Sequence, residues 1–414
     1  MSEKYLTEEL EELKKRVLTR LDITRESDEE QLLEVIDSEI SRYGREKMLP
    51  LSQRRRLRIQ IFHSLRRLDV LQELLERDDI TEIMVNGAEK IFYEKGGSIY
   101  PWNQHFSSRE RLEDIIQQMV GNNNRVINTA QPIADTRLSD GSRVNAVLYP
   151  IALDGPAVTI RKFPKHPLRI EEMIEYKSIG AECASLLERL VKSGYNIFIS
   201  GGTGSGKTTF LNALSGFIPE TDRVITIEDS AELQLQGISN LVRLETRNAG
   251  VEGTLEITIR DLIRTALRMR PSRIIVGEIR AGECLDMLQA MNTGHDGSLS
   301  TGHANSCRDM LNRMETMVLM GMELPLAAIR AQIASGIDIM VHLGRLRDKT
   351  RRVLSIMELN GVSEGEIQLN PLYEFVENGM KDGRITGYWE KRGELLHREK
   401  LWAAGMEEKD AGLQ

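Results

Sequence analysis

A ten-residue stretch, GGTGSGKTTF at residues 201–210, contains the residue types that hold a nucleotide phosphate. It meets the pattern G-x-x-x-x-G-K-[ST] and lies between an apolar run, YNIFIS, and a predicted helix, a context that argues against a chance match. The glycines let backbone N–H groups and the helix dipole surround the phosphates, Lys207 reaches the β- and γ-phosphates, and Thr208 ligates Mg²⁺. The stretch therefore predicts bound ATP and Mg²⁺, held by Gly201, Gly202, Thr203, Gly204, Ser205, Gly206, Lys207, Thr208 and Thr209.

Binding alone does not split a nucleotide, because hydrolysis also needs a metal-holding carboxylate and an activated water. Two apolar runs end in acids: RIIVGEI reaches Glu278, and RVITIED reaches Glu228 and Asp229. In a parallel sheet the carboxyl ends of such strands lie at the ligand-binding edge. We expect Glu278 to hold Mg²⁺ through water or to polarise the attacking water. The alternative for Glu278 is an exposed charge at a strand end, although two acid-ended strands beside a phosphate loop are hard to explain as solubilising charge.

Two histidines lie in a third segment, TGHDGSLSTGHANS, which is rich in glycine and serine. A zinc site would need another soft ligand at a metal-binding spacing, and none is present near His295 and His303. A hydrogen bond from a histidine to the γ-phosphate or to the catalytic water fits this context better. A purely structural histidine is the alternative, especially for His295.

The composition excludes several other classes of protein. A net charge of −8 disfavours a general nucleic-acid binder, which usually carries a basic excess. The three cysteines lie far apart and form no CxxC pair, so neither a disulfide framework nor a structural zinc site is expected. No apolar run approaches the ~20 residues of a membrane span, and the first residues contain no apolar signal segment. We therefore expect a cytoplasmic protein.

Changes of pattern along the chain predict five regions. Residues 1–75 are charged and helical, and their arginine-rich stretch is either a solvated helix face or a docking face for an acidic partner or a membrane surface. Residues 76–163 mix short strands with a helix that opens at Ser108, which indicates an α+β domain. A proline-containing linker, 164–176, precedes an α/β domain, 177–360, in which strands alternate with helices. Residues 361–414 contain further strands and a polar tail.

The order of these motifs resembles the type II/type IV secretion ATPase superfamily. The phosphate loop, TIEDSAEL, RMRPSRIIVGEIR and GHDGSLSTGHANS are similar to its Walker A, Asp box, Walker B and His box. ITEIMVNG, ADTRLSDGSRVNAV and VTIRKF resemble the N-terminal domain of the tight-adherence (Flp) pilus-assembly branch, the CpaF family. The chain lacks the tetracysteine zinc module of many type II relatives. It has AIRAQI where retraction motors have AIRNLI, so the likeness does not extend to a dedicated retraction role.

The resemblance implies a homohexamer with a PAS-like α+β N-terminal domain and a RecA-like P-loop NTPase domain. It implies that the enzyme is located at the inner face of the cell membrane and acts on an inner-membrane platform protein. Neither zinc nor nucleic acid is expected as a partner. Arg270 and Arg280 flank the Walker B strand and are candidates for subunit contacts. The catalytic residues implied by motif match are Glu278, Glu228, His303, Arg137, Arg143 and Arg161, with Thr208 and Glu278 at the metal.

The leading hypothesis is accordingly a hexameric ATPase that powers Flp pilus assembly. A second hypothesis keeps the ATPase and changes its cargo, as in a type II or type IV secretion traffic ATPase. A third is a scaffold that binds ATP without turnover, which the two strand-end acids and the candidate arginines argue against. A nucleic-acid translocase shares the core fold, but the acidic balance disfavours it.

Overall fold

The structure is a computed structural model that describes residues 3–21, 28–122, 125–164, 167–247 and 255–407. It divides into two units, Met1–Lys165 and His166–Gln414. Residues 165 and 166 of the predicted linker, and residues 408–414 of the predicted tail, lie outside the described part of the chain.

The first unit begins with helices. Leu32, Ile36 and Tyr43 recur at helical spacing on one face of the second helix, and they pack with Leu57 and Ile61 of the third. This burial accounts for the association of helices that are otherwise highly charged. The helices are α1 (Glu3–Arg20), α2 (Glu29–Glu46), α3 (Leu51–Arg66) and the short α4 (Leu71–Glu76).

A six-stranded antiparallel sheet follows in the same unit, in the order β3-β2-β1-β6-β5-β4. Alternate residues such as Val144, Val158 and Ile160 face a core that they share with α5, whose N-terminus is capped by the Ser108 hydroxyl as the sequence predicts. The residues between them form the opposite face. The elements are β1 (Ile80–Asn86), β2 (Lys90–Lys95), β3 (Ser98–Trp102), α5 (Arg109–Gly121), β4 (Ile133–Arg137), β5 (Arg143–Val147) and β6 (Ala157–Arg161).

The second unit is built on a nine-stranded sheet in the order β15-β14-β13-β12-β7-β11-β10-β8-β9. The strands from β12 to β9 in this order are parallel, and β13, β14 and β15 extend the sheet as an antiparallel meander. The predicted α/β class is thereby confirmed. The strands are β7 (Ile197–Gly201), β8 (Arg223–Glu228), β9 (Asn240–Glu245), β10 (Arg273–Val276), β11 (Leu299–Gly302), β12 (Ile339–Arg345), β13 (Arg351–Ser363), β14 (Glu366–Lys381) and β15 (Arg384–Lys391).

Helices cover both faces of this sheet, and each face has its own apolar core. On β7, Ile197 and Ile199 face one core, and Phe198 between them faces the other, as expected for a strand buried on both sides. The helix α6 lies within the stretch predicted as a linker, and it buries Ile170 and Met173 in the first of these cores. The helices are α6 (Ile170–Glu175), α7 (Ala181–Lys192), α8 (Lys207–Ser215), α9 (Ile259–Ala266), α10 (Glu283–Asn292), α11 (Cys307–Gly321), α12 (Leu326–Gly336) and α13 (Glu399–Ala403).

Within the described ranges, no single helix is both long and apolar enough to cross a membrane. The pair α11 and α12 reaches the required hydropathy only when taken together, across a bend of 118°.

Candidate nucleotide site

The phosphate loop connects the end of β7 to the start of α8, at the carboxyl edge of the parallel strands. Gly201 has no room for a side chain, because a Cβ there would lie 2.5 Å from Oγ of Ser205 and 2.6 Å from the carbonyl oxygen of Leu343. Gly206, with a φ of 93°, occupies the left-handed region directly before the nine-residue helix α8. The local geometry therefore requires the glycines of the motif, and it presents a helix N-terminus to a bound phosphate.

Lys207 extends back along the inside of this loop and is 8% exposed. Its ammonium donates to the carbonyl oxygens of Gly201 and Gly202, at 3.1 and 3.2 Å, and lies 3.2 Å from Nδ1 of His303. Burial lowers the pKa of Lys207, while the carboxylate of Glu278 acts in the opposite direction. The ammonium is thus held by two carbonyl oxygens of the loop and by the ring of His303.

The acid predicted at the end of the Walker B strand lies beside the predicted histidine. Oε1 of Glu278 is 2.9 Å from Nε2 of His303, and its Oε2 accepts a hydrogen bond of 3.0 Å from Arg280. Arg280 also approaches Asp229, at 3.5 Å. Burial and the neighbouring Lys207 lower the pKa of His303, whereas the negative charge of Glu278 raises it. The ring of His303 thus lies between the ammonium of Lys207, which is 3.2 Å from Nδ1 and 3.4 Å from Nε2, and the carboxylate of Glu278.

Glu228, at the end of β8, is more deeply buried than Glu278 and bonds to the backbone. It is 4% exposed, and its Oε2 accepts hydrogen bonds from the backbone N–H groups of Glu232 and Leu233, at 2.7 and 2.9 Å. Its Oε1 has no hydrogen-bond partner among the described residues. Burial raises the pKa of Glu228 to about 7, because the charged form loses solvation. The carboxyl group thus shapes the turn that follows β8, and it leaves one buried oxygen without a partner in this part of the chain.

Two residues that contact the loop from β12 and β13 were not found by sequence reasoning. Nε of Arg351 donates to the carbonyl oxygen of Gly204 at 2.8 Å, and the buried His342 contacts Ser200, which immediately precedes the loop. The two contacts span 147 and 142 positions of the chain. No motif marks either residue. The pairing of β12 with β7 brings His342 close to the loop, and the pairing of β13 with β12 brings Arg351 there.

The structure separates His295 from His303. His295 precedes β11 and contacts the carbonyl oxygen of Ala290 through Nδ1 at 3.2 Å, whereas His303 follows the same strand at its other end. Within the described ranges, no group of three or more His, Cys, Asp or Glu side chains is placed to hold a metal ion. Of the arginines that flank the Walker B strand, Arg280 joins the Glu278 network, and Arg270 is exposed before β10.

The three arginines predicted from the N-terminal domain form a row in the first unit. Arg137 on β4 lies directly opposite Arg143 on β5, and Arg143 lies directly opposite Arg161 on β6. The next partner along the row is Glu82 on β1, whose Oε1 is 3.5 Å from Nε of Arg161. The row lies on the face of the sheet opposite the core. Like charges directly opposite each other weaken a sheet, so strand pairing does not by itself account for them.

Comparison with known sequences places most of the chain in one family. Residues 65–384 match the family described as type II/IV secretion system protein. A putative conjugal transfer protein of Mycobacterium tuberculosis is 33% identical over 319 residues, which cover 76% of this chain and 90% of that protein. The type IV secretion system protein PtlH of Bordetella pertussis is 33% identical over 324 residues, covering 71% of this chain and 95% of PtlH.

Comparison with solved structures identifies a shared fold. The X-ray structure of the ATPase DotB from Legionella pneumophila superposes with a TM-score of 0.50 at 24% identity, over 71% of this chain and 80% of DotB. At this identity the likeness concerns the fold.

Proposed function

We propose, from the premise that the chain belongs to the type II/IV secretion system protein family, that it is a hexameric motor for assembly of a Flp (tight-adherence) pilus. Membership of this family makes the chain an ATP-hydrolysing secretion ATPase, and its phosphate loop is the part that binds the nucleotide. The cargo, the hexameric ring and the inner-membrane platform protein are the parts that we propose beyond this ATPase activity. The observation that carries the catalytic part is the meeting of Lys207, Glu278 and His303 at one edge of the parallel sheet.

The residues present suit ATP and Mg²⁺. Thr208 is the second residue of α8, and Glu278 lies close to Lys207, so a hydroxyl and a carboxylate, the oxygen ligands that Mg²⁺ prefers, flank the phosphate loop. A bound Mg²⁺ would neutralise charge on the β- and γ-phosphates. Lys207 donates to the phosphate oxygens, and Glu278 orients the attacking water and accepts its hydrogen bond. His303 and Arg280, which contact the two oxygens of Glu278, fix the orientation of that carboxylate.

The row of Arg137, Arg143 and Arg161 supplies the cations that the developing charge requires. Three guanidinium groups on adjacent strands form a surface suited to a polyanion. In the proposed cycle the first unit closes over ATP and brings one or more of these arginines to the γ-phosphate. Hydrolysis then becomes coupled to a rigid-body movement, which is how force would reach the platform.

The cellular setting of the proposal is the inner face of the cell membrane, with the enzyme cytoplasmic and bound peripherally to the platform. Zinc and nucleic acid are not part of the mechanism. A second candidate keeps the same ATPase and changes the cargo to that of a type II or type IV secretion system. It is favoured by one observation, that relatives covering most of the chain are described as conjugal transfer and type IV secretion proteins.

A gene replacement tests the proposal and separates the two candidates. In the organism that carries the gene, Lys207→Ala is compared with the parent and with Lys192→Ala, a surface lysine that pairs with Glu188. We expect the Lys207 variant alone to lose surface pili, with protein secretion and DNA transfer unchanged. Intact pili together with loss of secretion or DNA transfer would reject the pilus role and support the second candidate.

A further inference from the structure

The phosphate loop is bordered by different strands on its two sides. On one side β11 runs parallel to β7 and ends just before His303, which lies 2.9 Å from Glu278. On the other side β12 runs parallel to β7 and continues beyond it to Arg345, and β13 begins opposite that residue with Arg351. The loop therefore has one flank that carries the candidate catalytic acid and a second flank that is basic.

Arg351 reaches the phosphate loop from the start of β13. Its Nε donates to the carbonyl oxygen of Gly204 at 2.8 Å, and its Cδ lies 3.4 Å from the position that a Cβ would take at Gly206. The strand fixes the backbone of Arg351, and the bond to Gly204 fixes its guanidinium. Because Gly206 directly precedes α8, this guanidinium is held close to the helix N-terminus that the loop offers to a phosphate.

The charge of Arg351 is not neutralised by an acidic side chain in the described part of the chain. Its side chain is exposed, and no ion pair or further hydrogen bond of its guanidinium is found there. Two acids of the same region have other partners: Asp348 accepts from the backbone N–H of Ile385, and Glu377 pairs with Arg347. A guanidinium has five N–H donors, so the terminal nitrogens of Arg351 are able to bind an anion.

We propose that Arg351 binds the α-phosphate of the nucleotide. In the proposed function the γ-phosphate lies beside Glu278 and His303, so the nucleoside end of the nucleotide extends away from that flank, and Arg351 is anchored on the opposite one. A guanidinium can donate two parallel hydrogen bonds to phosphate oxygens. ATP and ADP both carry the α-phosphate, so the contact serves both nucleotides equally. The inference rests on the proposed assignment of the phosphate loop as the nucleotide site.

Two substitutions separate phosphate binding from support of the loop. Arg351→Gln keeps an N–H donor at the position of Nε, which can still bond to Gly204, but it removes the charge, whereas Arg351→Met removes both. Calorimetry on the full chain measures the affinity for ADP, for a non-hydrolysable ATP analogue and for inorganic tripolyphosphate, and kcat is measured at saturating ATP. Arg347→Gln is the matched control, because that nearby exposed arginine pairs with Glu377.

We expect both Arg351 variants to bind ADP, the ATP analogue and tripolyphosphate about 10- to 100-fold more weakly than the parent, the range for a hydrogen bond between charged groups. The kcat should stay within about threefold of the parent, because a contact made equally in the ground state and the transition state changes KM alone. Arg347→Gln should bind all three compounds as the parent does.

Four results would overturn the inference. Parental affinities in Arg351→Gln would mean that the side chain only supports the loop through Gly204, and a loss of affinity confined to the ATP analogue would place the contact at the γ-phosphate. A loss that spares tripolyphosphate would place the contact at the nucleoside. If Lys207→Ala left both the ADP affinity and the turnover at parental levels, the loop would not be the nucleotide site, and the inference would fall with that assignment.

Discussion

Nε2 of His303 lies 2.9 Å from Oε1 of Glu278, so the histidine of one strand end and the acid of the neighbouring strand end are a close polar pair. The pair exists because β10 and β11 are adjacent and parallel, which brings both carboxyl ends to the same edge. Lys207 completes the group from the phosphate loop. This arrangement predicts which substitutions separate binding from turnover.

Replacing Glu278 with Gln should leave ATP binding intact and reduce hydrolysis strongly. The amide keeps the size of the side chain, but it cannot serve as an anionic ligand at the metal or accept a proton from water. Nucleotide affinity and single-turnover hydrolysis, measured separately, check this. Parental turnover in Glu278→Gln together with an inactive Glu228→Gln would mean that the roles of the two acids are reversed.

Replacing Lys207 with Ala should abolish turnover, because the charge that engages the β- and γ-phosphates is removed. Lys192→Ala is the control, since that lysine is exposed and pairs with Glu188 on α7. The measurement is the steady-state rate of phosphate release at saturating ATP. Near-parental turnover in Lys207→Ala would reject the assignment of the phosphate loop.

The buried carboxyl of Glu228 should make stability depend on pH. Because its folded-state pKa of about 7 exceeds the ordinary 4.5, the folded chain binds this proton more tightly than the unfolded chain does. The contribution to stability is therefore complete below about pH 4.5 and is lost as the pH rises towards 7. Glu228→Gln removes this dependence. The free energy of unfolding of the variant should therefore rise relative to that of the parent between about pH 4.5 and 7, by on the order of 3 kcal/mol.

Denaturant unfolding of the parent and of Glu228→Gln at several pH values measures that difference. Glu171→Gln, at an exposed glutamate of α6, provides the control, and its difference from the parent should not change with pH. If the difference in free energy of unfolding between Glu228→Gln and the parent stayed constant from about pH 4.5 to 8, the assignment of a buried, protonatable carboxyl would be contradicted.

The arginine row should be needed for turnover more than for binding. We expect Arg143→Ala or Arg137→Ala to lower kcat by on the order of 10³, as for an arginine that stabilises transferred-phosphoryl charge, with ATP affinity nearly unchanged. Arg109→Ala, on α5 of the same unit, is the control, and circular dichroism verifies the fold. If Arg137→Ala, Arg143→Ala and Arg161→Ala all retain turnover, the proposed closure of the first unit over ATP is wrong.

Assembly should appear in the dependence of activity on protein concentration. If the active enzyme is a ring, the specific activity rises steeply as monomers associate, because dissociated chains lack a complete site. Phosphate release is measured over a wide range of protein concentration, with the mass in solution determined in parallel. A constant specific activity from a verified monomer would rule out obligate assembly.

The amino-acid sequence by itself determined the phosphate loop, the class of the second unit and the acids at the strand ends. These features are local, since a glycine-rich turn between a strand and a helix is specified by neighbouring residues, and an apolar run ending in an acid is visible without a partner strand. Parallel strands also place their carboxyl ends together by rule, so the meeting of Glu278 with the loop could be predicted.

The tertiary structure decided what depends on which strands are neighbours. The row of Arg137, Arg143 and Arg161 follows from the register of three antiparallel strands, and the contact of His342 with Ser200 follows from the pairing of β12 with β7. The structure also distinguishes Glu228 from Glu278, two strand-end acids that look equivalent in the sequence, by their burial and their contacts. Glu228 is enclosed and bonds to the backbone, while Glu278 is paired with His303 and Arg280. Contacts between residues far apart in the chain depend on packing and register, which no short segment of sequence contains.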